Sequence, residues 1–335
     1  MQETYDFKEE YIVEEINRKN AKKVLIQLPE GIKKEGFRIS KHIEENCECE
    51  VYISGNSCWG GCDLSLEEAK NLAVDLLIHF GHAPFIKVDF PILYIELESK
   101  LDIIDMLQKS MKDIKEKKLG LVSSIQYIHK IEEVKKFLDD NGFETIIPEK
   151  RGFSHYNGHV VGCEYNSLKL IRNNVEAFLV LGNTFHSLGA ALMINDKKVY
   201  LLDERNEKIE LMDELRDKVT RQRFAMIEKV KGANKIGIIV DLKPGQKNVG
   251  FAKVLKKDLK EVGKDSMILL MNEVTPDKLM NFYDIDAFIE TACPRIAIED
   301  REKYEKPLIS AREARVITGK ISWEKLLEEG LIGFY

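Results

Sequence analysis

Asp75-Leu-Leu-Ile-His-Phe-Gly81 is the stretch on which the fold turns, because the chain writes it again as Glu176-Ala-Phe-Leu-Val-Leu-Gly182 and as Asp286-Ala-Phe-Ile-Glu-Thr-Ala292, with the same acidic start and apolar middle. A continuous apolar run of this length, bounded by turn residues, is the pattern of a strand covered on both faces in a parallel sheet. Repetition at this scale means repeated supersecondary units. Upstream of the three copies lie three further runs: Val24 to Leu28 before Pro29-Glu30-Gly31, Gly120 to Ser123, and Ile236 to Val240 before Pro244-Gly245-Gln246. Helix-period segments separate the runs, so the sequence predicts an α/β fold of three similar Rossmann-like domains with small parallel sheets. The expected domains are 1–112, 113–215 and 216–335, with a charged helical connector from Asp213 to Gly232 leading into the third.

Thirteen residues before each acidic start stand Cys62, Cys163 and Glu273; the third unit carries its cysteine, Cys293, at the far end of the following strand instead. Functional groups in parallel α/β sheets gather beyond the carboxyl ends of strands. Each cysteine is placed there, in loops marked by Gly or Pro: Gly60-Gly61-Cys62, Gly162-Cys163 and Cys293-Pro294. One thiolate from each domain, brought together in a pseudo-threefold arrangement, would hold a central iron–sulfur cluster at three corners and leave one iron open to a substrate. Two plainer readings stand beside this one. A lone cysteine behind a strand is commonly a small buried hydrophobe, and Cys58 with Cys62 makes a C-x₃-C pair that Cys163 and Cys293 would complete as structural zinc. The repeat supplies a counterpart for Cys62 and none for Cys58. Ser65 occupies the place of the third cysteine in a C-x₃-C-x₂-C loop, so that radical-enzyme motif is absent. Cys47 and Cys49 read as a turn before the strand Val51 to Ser54.

The bulk composition agrees with a folded globular chain: 44% hydrophobic and 32% charged residues, with only 8 Pro and 21 Gly in 335. A net charge of −6 provides no global field for nucleic acid or anionic lipid. The acidic opening MQETYDFKEEYIVEEI lacks the basic start and apolar centre of a signal peptide. The longest apolar runs, such as Ala177 to Leu181, fall short of the roughly 20 residues that cross a bilayer. A cytoplasmic protein with no membrane partner and no direct nucleic-acid partner is expected, its six cysteines free or metal-bound. The seven histidines form no H-E-x-x-H motif. No G-x-S-x-G elbow or Walker loop occurs either, which removes serine hydrolase and phosphate-loop ATPase chemistry. His79 and His82 flank a strand end that faces the expected centre, and His186 follows another strand.

Taken together, Gln27-Leu-Pro-Glu-Gly31, Cys58-Trp-Gly-Gly-Cys62-Asp63, His79-Phe-Gly-His82, Gly162-Cys163, Phe185-His-Ser-Leu-Gly189, Arg223 to Ile227, Gly245-Gln246 and Thr291-Ala-Cys-Pro-Arg295 resemble the diphthamide-biosynthesis enzymes, the 2-(3-amino-3-carboxypropyl)histidine synthases, in their archaeal form. The resemblance covers nearly the whole chain. It departs from the family pattern at Trp59, Gly61 and Ser187, and over Lys306-Pro-Leu-Ile-Ser310. It implies three α/β domains whose cysteines, here Cys62, Cys163 and Cys293, bind a 4Fe-4S cluster. It implies a radical transfer of the 3-amino-3-carboxypropyl group from S-adenosylmethionine to a histidine of translation elongation factor 2, with methylthioadenosine as the second product. An electron donor and a homodimer come with it. Pro29, Glu30, Gly31, His186, Gly245 and Gln246 are the expected S-adenosylmethionine-binding residues, because backbone amides in strand-end loops receive carboxylates. The alternatives are an iron–sulfur dehydratase like quinolinate synthase, whose architecture is similar, and a noncatalytic three-domain binding protein stabilised by zinc.

Overall fold

The computed structural model describes residues 4–333. The first residues of the acidic opening, Met1 to Glu3, lie outside these. Each of the three repeats forms its own parallel sheet.

In the first, β1 (Tyr5–Asp6) and the helix Glu9–Lys19 precede β2 (Lys23–Gln27), β3 (Glu50–Ile53), β4 (Leu76–Phe80) and β5 (Ile92–Ile95), which pair in the order β3-β2-β4-β5. β6 (Glu98–Ser99) returns to pair antiparallel with β1. The second sheet comprises β7 (Lys118–Ser123), β8 (Glu144–Ile146), β9 (Ala177–Gly182) and β10 (Lys198–Asp203), with β11 (Lys208–Leu211) added by an antiparallel hairpin, in the order β11-β10-β9-β7-β8. The third comprises β12 (Lys235–Asp241), β13 (Asp265–Met271), β14 (Ala287–Glu290) and β15 (Leu308–Ser310), ordered β13-β12-β14-β15. Within each sheet the first strand of the unit lies between the second and the third, and the fourth adds beyond the third. Three sheets therefore share one topology, and each has its switch point beside the same pair of strands, where ligands of open α/β sheets bind.

The repeated acidic start has a structural cause. Asp75 Oδ2 accepts the backbone N–H groups of Lys22 and Lys23 at 2.7 and 2.9 Å. Glu176 Oε2 accepts those of Lys117 and Lys118 at 2.9 and 3.1 Å, and Asp286 Oδ2 those of Asn234 and Lys235 at 2.9 and 2.8 Å. One carboxylate ahead of the third strand thus satisfies two amides at the start of the first, which the sheet leaves unpaired. The apolar middles that follow are buried along their whole length in β4, β9 and β14.

The second and third units share a further detail. Gly120 is the register partner of Phe178 and Gly237 that of Phe288, and a Cβ on either glycine would come within 2.6 Å of the phenylalanine ring. The first unit pairs Leu25 with Leu77 at this place, so its packing there is different.

The helix Asp213–Lys231 joins the second and third sheets, and its buried face, Val219, Met226, Ile227 and Val230, belongs to one apolar core shared by both. Arg223 on the same helix is fully buried. Its guanidinium meets Glu313 through two bonds of 2.6 Å and donates to the carbonyls of Ala297 and Leu308. Among the described residues no helix is long and apolar enough to cross a membrane.

Candidate metal centre and its cavity

A single cavity of about 540 Å³ opens where the strand ends of the three sheets face one another, and Cys62, Cys163 and Cys293 all line it. Cys62 and Cys163 come from the crossings between the second and third strands of their units, and Cys293 from the end of β14. Burial raises the pKa of all three thiols. Cys62 and Cys293 add to the upward push on Cys163, and Cys62 to that on Cys293, through mutual repulsion of their thiolates. Three ionised thiolates in one buried place call for a compensating cationic partner.

Around one tetrahedral zinc, with bonds of about 2.3 Å, thiolates stand about 3.8 Å apart. Among the described residues the group whose metal-ligating atoms all fall within 4.8 Å of one another is Cys58, His79 and His82. The three cavity cysteines are not such a group, so their sulfurs do not all stand as close as the ligands of one ion. The soft donor set suits iron and sulfide.

Cys62 is held from two sides. Gly245 donates its backbone N–H to the Cys62 carbonyl at 2.8 Å, and a side chain at Gly245 would place its Cβ 2.6 Å from the Cα of Cys62. The next residue, Gln246, donates from Nε2 to Cys62 Sγ at 3.2 Å. The third unit thereby reaches into the first, and glycine is the residue that permits this approach.

Of the expected cosubstrate residues, Pro29, Gly31, His186 and Gln246 line the cavity, and Glu30 and Gly245 do not. Glu30 is turned to Lys33, 2.9 Å away, and to the backbone N–H of Cys58. Gln246 directs its amide to a sulfur rather than leaving it wholly for a ligand. Cys47 caps the helix Gly36–Asn46, and Cys49 donates to its carbonyl at 3.0 Å, which is the turn read from the sequence.

Other cavity residues escaped the sequence reading as site residues. Arg295, two residues after Cys293, stacks on Phe185 with its guanidinium carbon 3.7 Å from the ring centroid, and it pairs with Glu299 at 3.0 Å. Its signal was its place at the start of the helix Pro294–Ile298. The Tyr127 hydroxyl and Glu204 Oε2 are buried in the lining without a hydrogen-bond partner among the described residues, and buried polar atoms of this kind need a ligand or water to satisfy them. His82 and His159 join His186 in the lining. Burial lowers all three imidazoles, to about 4, 4 and 3, helped for His82 and His186 by the facing Arg295 guanidinium. They are neutral at ordinary pH. Behind His82 runs a chain of close contacts: His82 Nδ1 to His79 Nε2 at 3.0 Å, His79 Nδ1 to Gln27 Oε1 at 2.9 Å, and Gln27 Nε2 to the Asp63 carbonyl at 2.6 Å.

Comparison with known proteins adds a family to this geometry. The sequence model of the diphthamide synthesis protein family matches residues 28–327. The 2-(3-amino-3-carboxypropyl)histidine synthase of Pyrococcus horikoshii is 32% identical over 312 residues, covering 92% of this chain and 89% of the relative. Subunit 1 of the same synthase from Schizosaccharomyces pombe is 28% identical over 335 residues, covering 97% and 76%. The crystal structure of Dph2 from Pyrococcus horikoshii with a 4Fe-4S cluster superposes with a TM-score of 0.89 at 30% identity, covering 99% of this chain and 95% of that one.

Proposed function

Because the chain belongs to the diphthamide synthesis protein family, we propose that it transfers the 3-amino-3-carboxypropyl group of S-adenosylmethionine to a histidine of translation elongation factor 2, with Cys62, Cys163 and Cys293 holding a 4Fe-4S cluster. Membership itself makes it an enzyme, a transferase of diphthamide biosynthesis. The observation that carries the finer reading is the meeting of three single cysteines, one from each repeat, around one cavity. The relative whose structure contains the cluster is similar over almost the entire chain. The three sheets are taken as three domains, 1–112, 113–215 and 216–335, in a pseudo-threefold arrangement about the cavity.

Bound there with one iron lacking a protein thiolate, the cluster would supply the single electron that opens a sulfonium reductively. The chain's residues decide which carbon–sulfur bond is presented, and hence the product. Arg295, fixed between Phe185 and Glu299, is placed to hold the cosubstrate carboxylate. Glu204 and the Tyr127 hydroxyl offer acceptors to its ammonium and ribose. The stacked pair Phe85 and Phe153, with centroids 4.2 Å apart, and the Phe185 ring form apolar wall that keeps water from a reactive carbon. Neutral His82, His159 and His186 add no positive charge that would repel a sulfonium. A cytoplasmic homodimer served by a separate electron donor completes the reading, which follows the family resemblance.

Anaerobic purification tests it. A brown protein with about four irons and four sulfides per chain, forming methylthioadenosine from S-adenosylmethionine under dithionite, is the expected result. A colourless zinc protein would refute the cluster, and 5′-deoxyadenosine as the main product would refute the bond assignment. Iron without any cleavage would point to the dehydratase alternative.

A further inference from the structure

We propose that His82 is the catalytic base that takes the ring proton of the acceptor histidine, an inference that rests on the transfer reaction proposed above. The balance of that reaction requires a base. A carbon–sulfur bond of the sulfonium breaks, a carbon–carbon bond forms at a carbon of the acceptor imidazole, and the C–H bond at that carbon breaks. Methylthioadenosine leaves. The electron that opens the sequence is returned when the ring regains aromaticity, so the net change is one proton released, with no oxidant or reductant consumed. A neutral nitrogen lone pair inside the cavity is the natural acceptor of that proton.

Hydrogen bonding decides which nitrogen of each cavity imidazole holds such a lone pair, because one nitrogen of a neutral ring donates and the other accepts. The Gln27 amide is oriented from both ends: Nε2 donates to the Asp63 carbonyl at 2.6 Å, and Oε1 accepts the Ser65 N–H at 3.1 Å. An amide oxygen only accepts, so His79 Nδ1, 2.9 Å from it, carries its hydrogen. Burial holds His79 neutral, which leaves Nε2 a bare acceptor. His82 Nδ1, 3.0 Å away, must then be the donor. The hydrogen of His82 is pinned to Nδ1, the ring also faces the Phe80 carbonyl, and Nε2 has no hydrogen-bond partner among the described residues on a ring that lines the cavity.

His159 has the opposite tautomer. Its Nδ1 accepts the backbone N–H of His155 at 3.2 Å, so its Nε2 carries the hydrogen and cannot take another. His186 Nδ1 lies 3.0 Å from Asn183 Oδ1, which only accepts, so its Nε2 is bare as well; but Asn183 is an exposed capping residue, and among the described residues no second imidazole stands behind it. His82 alone backs onto a second buried imidazole, whose Nε2 shares the hydrogen of Nδ1 and with it the charge of an incoming proton. The weak basicity of a buried imidazole near Arg295 is no obstacle, since loss of the ring proton restores an aromatic system and is strongly driven.

The test uses the full chain, reconstituted anaerobically, with dithionite, S-adenosylmethionine and elongation factor 2. His82→Ala is expected to lose transfer to the factor on the order of 10²-fold while methylthioadenosine still forms and bound iron is unchanged, and added imidazole is expected to restore transfer. Should the alanine variant lose iron, His82→Gln, which keeps an amide donor toward His79, takes its place. Transfer at the parent rate, loss of cleavage together with transfer while iron remains, or no response to imidazole would each overturn the assignment. The same imidazole-rescued uncoupling in His186→Ala would move the role to His186. Failure of the parent protein to form methylthioadenosine would instead sink the transfer reading, so the two failures are distinct.

Discussion

Gln246 donates its side-chain amide to the sulfur of Cys62 across 3.2 Å, although the two residues are 184 positions apart in the chain. A hydrogen bond to a ligating sulfur withdraws electron density and stabilises the reduced form of an iron–sulfur centre. Gln246→Leu is therefore expected to retain iron and to lower the reduction potential by about 50 mV, the one-electron equivalent of a hydrogen bond worth about 1 kcal/mol. A redox titration followed by electron paramagnetic resonance reads the shift. An unchanged potential would show that the contact only packs.

Alanine substitution separates the cysteines. Cys62→Ala, Cys163→Ala and Cys293→Ala are each expected to lose most bound iron, because all three line the cavity, while Cys58→Ala keeps it, since Cys58 is grouped with His79 and His82 instead. Iron and sulfide analysis of anaerobic protein checks the ranking. Iron retained without Cys62 but lost without Cys58 would reverse the assignment drawn from the repeat.

Two glycines beside the cavity should respond differently to one added methyl group. A Cβ at Gly245 meets backbone and side-chain carbons of Cys62 at 2.6 Å, whereas one at Gly31 meets nothing within 4 Å. Gly245→Ala is expected to destabilise the protein by about 1–3 kcal/mol through overpacking and to weaken iron retention. Gly31→Ala should do neither. Denaturant midpoints with parallel iron analysis decide.

The buried pair Arg223 and Glu313 fastens the connector helix to the unit that carries Cys293. Removing one partner strands a buried charge, so Arg223→Met or Glu313→Leu should each cost about 3–5 kcal/mol, while the double variant recovers much of the loss. A double-mutant cycle in urea measures it. Equal, additive losses would mean that the two groups act independently.

Acid should loosen the second and third sheets at their strand starts. Backbone N–H groups of Lys117 and Lys118 hold Glu176 below its ordinary value of 4.5, and those of Lys235 and Asn234 hold Asp286 below 3.8. A carboxylate whose pKa is lower folded than unfolded contributes stability in full above the ordinary value and loses it as pH falls through the folded one. Glu176→Gln and Asp286→Asn are expected to be less stable at neutral pH and to show a flatter loss below about pH 4. Thermal unfolding across that range tests the slope.

Much of this was legible in the sequence. The runs beginning at Asp75, Glu176 and Asp286 became β4, β9 and β14, within one residue at their starts and two at their ends, since a strand buried on both faces must be apolar throughout and its boundaries follow. Their acidic starts were visible as a pattern, but the reason, two amides on the neighbouring strand, was not. The β10–β11 hairpin went unread because Lys208 to Leu211 alternates in character and belongs to a sheet edge. Cys62, Cys163 and Cys293 were found through repetition. Arg295 was quoted only as part of a resemblance, and Gln246 was assigned to the cosubstrate rather than to a sulfur.

By itself the chain determined three copies of one strand–helix unit and which thiol belongs to which copy, because periodicity and turn chemistry act over a few residues. The tertiary structure decided that those strand ends face a common cavity, that Gly245 lies against the backbone of Cys62, and that Gln27 sets the tautomer of His79 and so of His82. Those relations depend on how the sheets pack against one another and on the direction of individual hydrogen bonds. No local pattern encodes an approach between loops that are distant in sequence.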